Sequence, residues 1–502
     1  MKKLAIISTL ILGLAATSCD SYLDINESPN SPKESDMNSS IVFPAAEMNL
    51  AGSYGNYMRI TGGYFAQYYS QTFGTSNYMG YSQFEQSATR SSSNYTQLTS
   101  RALKSLQIVR NYAEQHDEWG NYLAATVLHA FTYQALVDCY GEVPYTEALD
   151  ATNATPHYDP GDIVYNGILS ELNQALSMVN SSDPVCTNFL FPGQTAAPWI
   201  EFANALKLRI LSRMSGVANV DGEIAQIINE GNLPAGDIAY EGCWTTEAGH
   251  ISPFYAEEFA TNWGSTQINV IANIAIIGTM QVKDAEGSLV YDDPRLPAFF
   301  EKNGSGNYTG GISGTNFSTS ATYKSAYWCR PVASFDMPVY LITKAETEFF
   351  IAEYYARTGN AAEAEAHYNA AIEASFANAG VSGADEYIAR YPYDQSNYKK
   401  SLGCAKWVAL AGVNPFEGYC ELRRLRYPTF GNVSGSDLYN EVGDIYSPGK
   451  YVPGTLYTPI KAFGPVGEKH LLERWPYAES SSARNSNAPE FPGYTTPIFW
   501  AK

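Results

Sequence analysis

The sequence contains few histidines and no closely spaced pair of cysteines. Its 502 residues include 6 His and 7 Cys, without a C-x-x-C or an H-E-x-x-H motif. Zinc sites built from protein ligands need such clusters, so a zinc enzyme is not indicated. The cysteines are also too sparse for the disulfide framework of a small secreted domain. We therefore expect most of them to be buried as small hydrophobic side chains.

Basic residues are scarce as well. The chain has 31 Lys and Arg against 51 Asp and Glu, which gives a formal charge of −20. Such an acidic chain is a poor general partner for nucleic acid and other polyanions, with local basic patches as the exception left open. The main basic cluster is Arg423, Arg424 and Arg426. We expect these arginines to pair with nearby acidic side chains in preference to an anionic ligand.

Motifs for nucleotide binding and nucleophilic catalysis are missing too. No G-x-S-x-G, Walker loop or G-x-G-x-x-G occurs, and GNVSGSD and GSGNYTG have the wrong spacing. The neighbouring acids Asp292-Asp293 and Glu257-Glu258 are candidates for a glycosidase carboxylate pair. Adjacent acids in a chain are more often solvated surface groups, so a surface hydrolase is an alternative without a recognisable site.

Long apolar runs are absent beyond the N-terminus. Residues 4–16 form one apolar run, which follows Lys2 and Lys3. This run is too short to span a bilayer and has the length of a signal-peptide core. Small residues precede Cys19, so we predict that residues 1–18 are a lipoprotein signal peptide and that Cys19 is lipidated. An ordinary secretory signal with an unmodified cysteine is the alternative.

Helical periodicity is clearest over residues 342–376. Apolar and small residues recur on both sides of Gly359-Asn360 and fit one tetratricopeptide-like helix pair. Such a unit cannot bury its own apolar face, so further helices must pack on it. Less regular helical patterns cover residues 96–115, 121–140, 161–179 and 198–216.

The predicted organisation is a tether followed by one domain. Residues 19–35 are rich in Pro, Asn and Ser and are predicted to link the lipid to a single domain over 36–502. Its helical scaffold lies mainly in 96–215 and 340–380. The segments rich in Gly, Pro, Asn and Tyr are assigned to a loop-rich ligand face, because loops on a rigid scaffold commonly carry function. These loop-rich segments are 60–95, 236–338 and 381–502.

Aromatic residues in the loops are the best candidates for ligand contact. The chain has 38 Tyr, and several aromatic residues lie among Gly, Ser and Asn. A flat ring packs on the apolar face of a sugar while polar neighbours bind its hydroxyls, so we expect these rings to be at least partly exposed. Core packing is the alternative for each of them. The predicted ligand-binding residues are Tyr78, Tyr81, Trp263, Tyr308, Trp328 and Phe335. No catalytic residue, metal ligand or cofactor is predicted.

Seven segments, taken in their order along the chain, resemble a known family. They are CDSYLDINESPNSP, DCYGEVPYTEAL (138–149), PWIEFANALKLRILSRM (198–214), DDPRLPAFF (292–300), the tetratricopeptide-like stretch from Tyr340, CELRRLRYP (420–428) and ERWPYAESSSARNSN (473–487). In this order they resemble the SusD/RagB-like outer-membrane nutrient-binding lipoproteins of Bacteroidota.

The resemblance implies a mostly α-helical fold, in which tetratricopeptide-like helix pairs carry a loop-rich face. It implies a cell-surface lipoprotein, anchored in the outer membrane, that binds oligosaccharides and passes them to a SusC-like TonB-dependent transporter. It implies a binding protein rather than an enzyme, and a structural role for Asp293-Pro294-Arg295. The same role with peptide cargo is the main alternative, and a tetratricopeptide scaffold that binds only protein is a further one.

Overall fold

The fold is mostly α-helical, as predicted. The computed structural model describes residues 37–72, 76–260, 269–284, 286–314, 328–439 and 450–502. The helices of seven or more residues are α1 Ser39–Ser53, α2 Arg59–Phe65, α3 Ala88–Thr96, α4 Lys104–Gln115, α5 Trp119–Tyr140, α6 Gly161–Met178, α7 Ala197–Met214, α8 Asp221–Glu230, α9 Ile274–Met280, α10 Lys344–Thr358, α11 Ala361–Asn378, α12 Ala384–Arg390, α13 Tyr398–Leu410 and α14 Pro415–Leu425. Single turns of π-helix occur at Tyr54–Met58, Gln97–Leu103 and Ala256–Ala260.

The strands are short and pair only two at a time in the described part of the chain. They are β1 Tyr69–Gln71, β2 Glu142–Val143, β3 Asp159–Pro160, β4 Ile238–Tyr240, β5 Val270–Ala272, β6 Gln281–Lys283, β7 Leu289–Asp292 and β8 Val339–Ile342. All four pairings, β1–β5, β2–β3, β4–β8 and β6–β7, are antiparallel. The pairings β1–β5 and β4–β8 fasten segments that lie far apart in the sequence, whereas β6–β7 is a local hairpin.

The predicted tetratricopeptide-like unit is present as α10 and α11. A capping box formed by Thr343 and Glu346 begins α10, and Gly359, with a φ of +84°, ends it in the left-handed conformation that glycine tolerates. The Asn360 side chain then caps α11. Ala352 and Ala364 are fully buried, which is consistent with the close approach of the two helices.

The other predicted helices are also present. Residues 96–115 form the π turn at Gln97–Leu103 and α4, and the three remaining patterns correspond to α5, α6 and α7. Helix α5 is buried on all sides, so its sequence is apolar around the whole circumference. No described helix has the combination of length and apolar character needed to cross a bilayer.

The loop-rich interpretation was wrong for part of the chain. The segment 381–502 contains α12, α13 and α14, and 60–95 contains α3 and most of α2. The physical reason is clearest in α14, where buried positions include Glu417, Glu421 and Arg423. A search for apolar periodicity overlooks a helix whose buried face is charged.

A cluster of buried charges joins five helices. Ion pairs link Arg213 to Asp138 and Glu417, and Arg424 contacts Glu353 and Glu421 with N–O distances of 2.5 and 2.7 Å. Every side chain in the cluster is at most 6% exposed. The members of this charge cluster are Asp138 on α5, Arg209 and Arg213 on α7, Glu346 and Glu353 on α10, Lys406 on α13, and Glu417, Glu421, Arg423 and Arg424 on α14.

The expectations for the arginines and cysteines are largely confirmed. Arg424 and Arg426 form ion pairs with acidic residues, and Arg423 donates to the carbonyl oxygens of Asp138 and Glu473. Cys139, Cys329 and Cys420 are buried, Cys186, Cys243 and Cys404 are half-buried, and all six are free thiols.

Replacement of Arg213 by Met tests the charge cluster. The substitution leaves the buried Asp138 carboxylate without an ion-pair partner among the described residues and leaves Glu417 with Arg209 alone, at 3.6 Å. We therefore expect the free energy of unfolding to fall by about 3–5 kcal/mol. The measurement is urea denaturation followed by circular dichroism.

The matched control is Arg330→Met. Arg330 pairs with Glu301 at 2.9 Å, but the two side chains are 41% and 45% exposed. Exposed pairs contribute less than about 1 kcal/mol, so this variant is expected to unfold near the wild-type midpoint. Equal losses in the two variants would contradict a special role for the buried cluster.

Candidate functional site

Asn273 lies in one of the loop-rich segments, directly before α9, and is fully buried. Its side-chain amide donates to the carbonyl oxygen of Tyr69 at 3.2 Å and to the Ser313 hydroxyl at 2.7 Å. Its side-chain oxygen accepts from the Ala275 amide at 2.9 Å and from the Tyr457 hydroxyl at 2.8 Å. The side chain therefore uses its full hydrogen-bonding capacity to hold separate segments together.

We call the segments around this residue the Asn273 platform. They are Tyr69–Gln71, 269–273, 308–314, 328–330 and 457–460. Strand β1 pairs with β5, the amide of Ala272 donates to the carbonyl oxygen of Cys329 at 2.8 Å, and that of Ile460 donates to Ser313 at 2.9 Å. The segments 73–75, 261–268 and 315–327, which lie outside the described residues, each begin or end beside this platform.

Gly314 shows how closely the platform segments pack. Its φ is +80°, and a Cβ atom there would lie 1.7 Å from the carbonyl oxygen of Ile460. Its amide donates to the Ser82 hydroxyl at 2.8 Å. Any side chain at this position would push the two segments apart, so only glycine fits.

A polar cleft opens next to the platform. It has a volume of about 510 Å³ and is lined on one side by Ser434 and Ser436 and on the other by Thr458, Lys461 and Lys469. Hydroxyl and ammonium groups in such a cleft suit a ligand with many hydroxyls. We call it the Ser434 cleft.

Tyr78 and Glu258 form a hydrogen bond that joins two of the loop-rich segments. The Tyr78 hydroxyl donates to the Glu258 carboxylate at 2.7 Å, and the amide of Asn269 donates to the other carboxylate oxygen at 3.3 Å. Burial of this carboxyl raises the pKa of Glu258 to about 7, although the bond from Tyr78 opposes the shift. Glu258 is therefore largely protonated below neutral pH.

Tyr78 also packs on a second predicted residue, Tyr81. Their rings are nearly parallel, with centroids 5.8 Å apart and an angle of 18° between the planes. The Arg90 guanidinium lies over the Tyr81 ring at 5.3 Å, and the Tyr81 hydroxyl donates to that of Tyr57 at 3.2 Å. The Tyr78–Tyr81 pair is thus held on several sides.

The structure brings Tyr78, Tyr81, Tyr308 and Trp328 to this face, but with differing exposure. Tyr78 is half-buried and Phe335 is 38% exposed. The expectation of exposure was wrong for Tyr81, Tyr308 and Trp328, which are buried. Tyr308 and Trp328 are buried because they anchor loop segments of the Asn273 platform. Trp263 and Cys19 lie outside the described residues.

Sequence reasoning missed Asn273 and gave Glu258 a different role. Asn273 is an isolated amide inside the apolar stretch VIANIAII, and a polar residue in such a stretch is a usable signal, because a buried amide needs partners. Glu258 appeared only as one half of an acid pair with Glu257.

The second acid pair does not form a catalytic site in the structure. Asp293 is buried and holds Arg295 with an N–O distance of 2.7 Å, which agrees with the structural role expected for this segment. Asp292 is exposed on β7. Across the described ranges, no group of three or more His, Cys, Asp or Glu side chains is arranged to hold a metal ion.

Comparison with family models shows to which protein family the chain belongs. A SusD-like family model, described as starch-binding and associating with the outer membrane, matches residues 29–443. The chain belongs to this SusD-like family. The prediction made from the seven segments is therefore confirmed. A comparison with curated proteins finds no match.

Solved structures of SusD-like proteins share the fold. A SusD homolog from Bacteroides uniformis ATCC 8492 is 20% identical, with a TM-score of 0.72 over 92% of this chain and 99% of that one. A SusD/RagB family protein from Bacteroides thetaiotaomicron VPI-5482 is 16% identical, with a TM-score of 0.71 over 93% and 99%. A chitin-binding protein is 18% identical, with a TM-score of 0.69 over 93% and 100%.

The Glu258 carboxyl gives a prediction about pH. Its pKa is raised above that of the unfolded chain, so the folded state holds the proton more tightly. The contribution of Glu258 to stability is therefore complete at low pH and is lost as the pH rises from about 4.5 to about 7.

Comparison with Glu258→Gln isolates this effect, because both proteins carry every other titrating group. The stability of the wild type relative to the variant should fall by up to about 3 kcal/mol between pH 5 and 8. The measurement is urea denaturation at several pH values. A difference that does not change with pH would show that Glu258 is ionised throughout.

Proposed function

We propose that the protein is a cell-surface lipoprotein that binds oligosaccharides on its loop-rich face. It then passes them to a SusC-like TonB-dependent transporter of the outer membrane and does not cleave them. The observation that carries this proposal is the match to a starch-binding, outer-membrane-associated family over residues 29–443. The Asn273 platform supports it, because it fastens several loop segments to one rigid base.

The chemistry of the face suits a sugar. Aromatic rings take the apolar side of a pyranose, and the hydroxyl and ammonium groups of the Ser434 cleft offer partners for its hydroxyls. We propose as contact residues Tyr78, Tyr81, Trp263, Tyr308, Trp328 and Phe335. Among those the structure describes, Tyr78 and Phe335 are the accessible ones, so we expect Tyr81, Tyr308 and Trp328 to act mainly by positioning.

Peptide cargo is the second candidate. Tyrosine rings and polar clefts also accommodate peptide side chains, so the two ligand classes must be separated by experiment. Titration calorimetry uses the protein starting after Cys19, with panels of neutral oligosaccharides and mixed peptides. Each mixture is analysed afterwards for cleavage products.

We expect binding to one class of oligosaccharide without cleavage. The Trp263→Ala variant should bind about tenfold more weakly, because it loses one stacking ring. The control is Tyr112→Ala, which removes a half-buried ring on α4 that stacks on His116 and is not part of the platform. Binding of peptides alone would favour the second candidate, and product formation would contradict a pure binding role.

Lipid attachment at Cys19 is tested separately. A lipid anchor, with residues 19–35 as a tether, confines the protein near its transporter and raises its local concentration there. We expect Cys19→Ala, expressed in a Bacteroidota host, to lose labelling by radioactive palmitate and to leave the membrane fraction. The control is Cys186→Ala, which should keep both properties. Membrane retention of an unlabelled Cys19→Ala protein would contradict the anchor.

A further inference from the structure

A second pocket lies away from the loop-rich face. It has a volume of about 260 Å³ and is enclosed by the π turn Gln97–Leu103, helix α5, the loop 144–156 and residues 480–485 near the C-terminus. We call it the Tyr133 pocket. Its apolar walls are Leu103, Pro144, Ala148, Leu149, Ala154 and Pro156, and its polar or aromatic groups are Tyr95, Thr99, Tyr133, Ser480, Ser481, Arg484 and Asn485.

The Tyr133 hydroxyl is available to a ligand. The Tyr133 side chain is nearly fully buried, and its ring is fixed edge-to-face by His129 and Tyr145, each with a centroid distance of 4.9 Å. Its hydroxyl lines the pocket and has no hydrogen-bond partner among the described residues. This hydroxyl keeps contact with solvent in the pocket, so a ligand there can form a hydrogen bond with it.

The pocket is shaped by contacts between its own segments. The Ser481 hydroxyl lies 2.5 Å from that of Tyr158 and donates to Tyr95 at 3.2 Å. The Asn485 amide donates to the carbonyl oxygen of Pro156 at 2.8 Å. These bonds hold the C-terminal segment against the loop 144–156, so the cavity exists before any ligand arrives.

Arg484 is the one charged residue that lines the pocket. It is exposed at the mouth and forms no ion pair or hydrogen bond with the described part of the chain. The Glu479 carboxylate accepts a hydrogen bond from Thr89 at 2.7 Å, and the Glu147 carboxylate lies 2.9 Å from the His157 ring. A guanidinium binds a carboxylate through two parallel hydrogen bonds.

We propose that the Tyr133 pocket is a separate subsite for one acidic sugar unit, a hexuronic acid of a glycan. The cavity is large enough for one pyranose ring and lies below the usual size of sites for larger ligands. The ring packs against the apolar walls, its hydroxyls bond to Tyr133, Ser480 and Thr99, and its carboxylate meets Arg484. The observation that carries this is a preformed cavity that combines a tyrosine hydroxyl and an arginine, neither of which has a partner among the described residues.

The subsite is distinct from the loop-rich face and does not depend on the proposed function. None of its lining residues belongs to the Asn273 platform or to the Ser434 cleft. The aromatic rings Tyr140, Trp475 and Tyr57 stand between Tyr95 and Tyr81, with successive centroid distances of 5.5, 5.9, 6.1 and 6.3 Å. The two sites are therefore on the same packed body but are lined by different residues.

The experiment uses the protein starting after Cys19 and follows ligand binding by NMR chemical-shift titration. The ligands are methyl glucuronoside and methyl galacturonoside, with methyl glucoside as the neutral match. We expect a methyl uronoside to bind in the millimolar range and the neutral glycoside at least tenfold more weakly. A charge-assisted hydrogen bond supports an effect of that size.

Two variants and a matched control locate the site. Arg484→Gln should weaken uronoside binding about tenfold, and Tyr133→Phe should weaken it about threefold. Tyr133→Phe should not change the fold, because the Tyr133 hydroxyl has no hydrogen-bond partner to lose among the described residues. Arg101→Gln removes an exposed arginine from the same π turn that lines the pocket and should bind like the wild type.

Several results would overturn the subsite. They are no uronoside binding, equal binding of the neutral glycoside, and binding insensitive to Arg484→Gln or equally sensitive to Arg101→Gln. Binding of short peptides through their C-terminal carboxylate in place of uronosides would overturn it too. Loss of uronoside binding in Trp263→Ala alone would assign the ligand to the loop-rich face. Uronoside binding that persists when no oligosaccharide binds that face would leave this subsite standing and contradict only the proposed function.

Discussion

The buried charge cluster is the constraint on which the rest of the structure depends. Removing an ion from water costs several kcal/mol, so a cluster of this kind is stable only when every member finds its partner. Arg423 completes the set, so the cluster contains as many cations as anions. Burial raises the pKa of Glu421, but Arg424 and Lys406 outweigh it and hold the pKa of Glu421 well below its ordinary value. The five helices that supply these charges must therefore pack in a single relative arrangement.

Direct contacts connect the packed helices of the charge cluster to the Asn273 platform. Helix α2 lies directly on α14, since a Cβ atom on Gly62 would be 2.4 Å from the Cα atom of Phe416. The chain after α2 is tied to α13, because the Tyr68 hydroxyl donates to the carbonyl oxygen of Trp407 at 2.7 Å and the Trp407 indole donates to that of Ala66 at 2.9 Å. Strand β1 follows at once and forms the edge of the Asn273 platform. The rigid interior thus fixes the position of the Asn273 platform.

The parts of this structure that follow local rules could be predicted from the sequence. Helix pairs with small residues at the contact, such as α10 and α11, and the apolar helix α5 have patterns that short-range periodicity detects. Helix α14 was missed because most of its buried charges are stabilised by partners on other helices. The exposure of Tyr308 and Trp328 was misjudged for the same reason. Small polar residues next to an aromatic residue in the sequence predict a loop. Whether the aromatic ring in that loop is buried depends on Asn273 and on segments far away in the sequence.

The burial of these aromatic residues changes how the loop-rich face can select a ligand. A ring that is held by neighbours on several sides, as Tyr81 is by Tyr78 and Arg90, presents little of its surface and adds rigidity more than contact area. Few exposed rings imply modest affinity, since each contributes on the order of 1 kcal/mol beyond the area it buries. Modest affinity suits the proposed role, in which a bound ligand is released to a transporter. In that proposal the tether from Cys19 keeps the local concentration high, so selectivity is better placed in polar groups such as those of the Ser434 cleft.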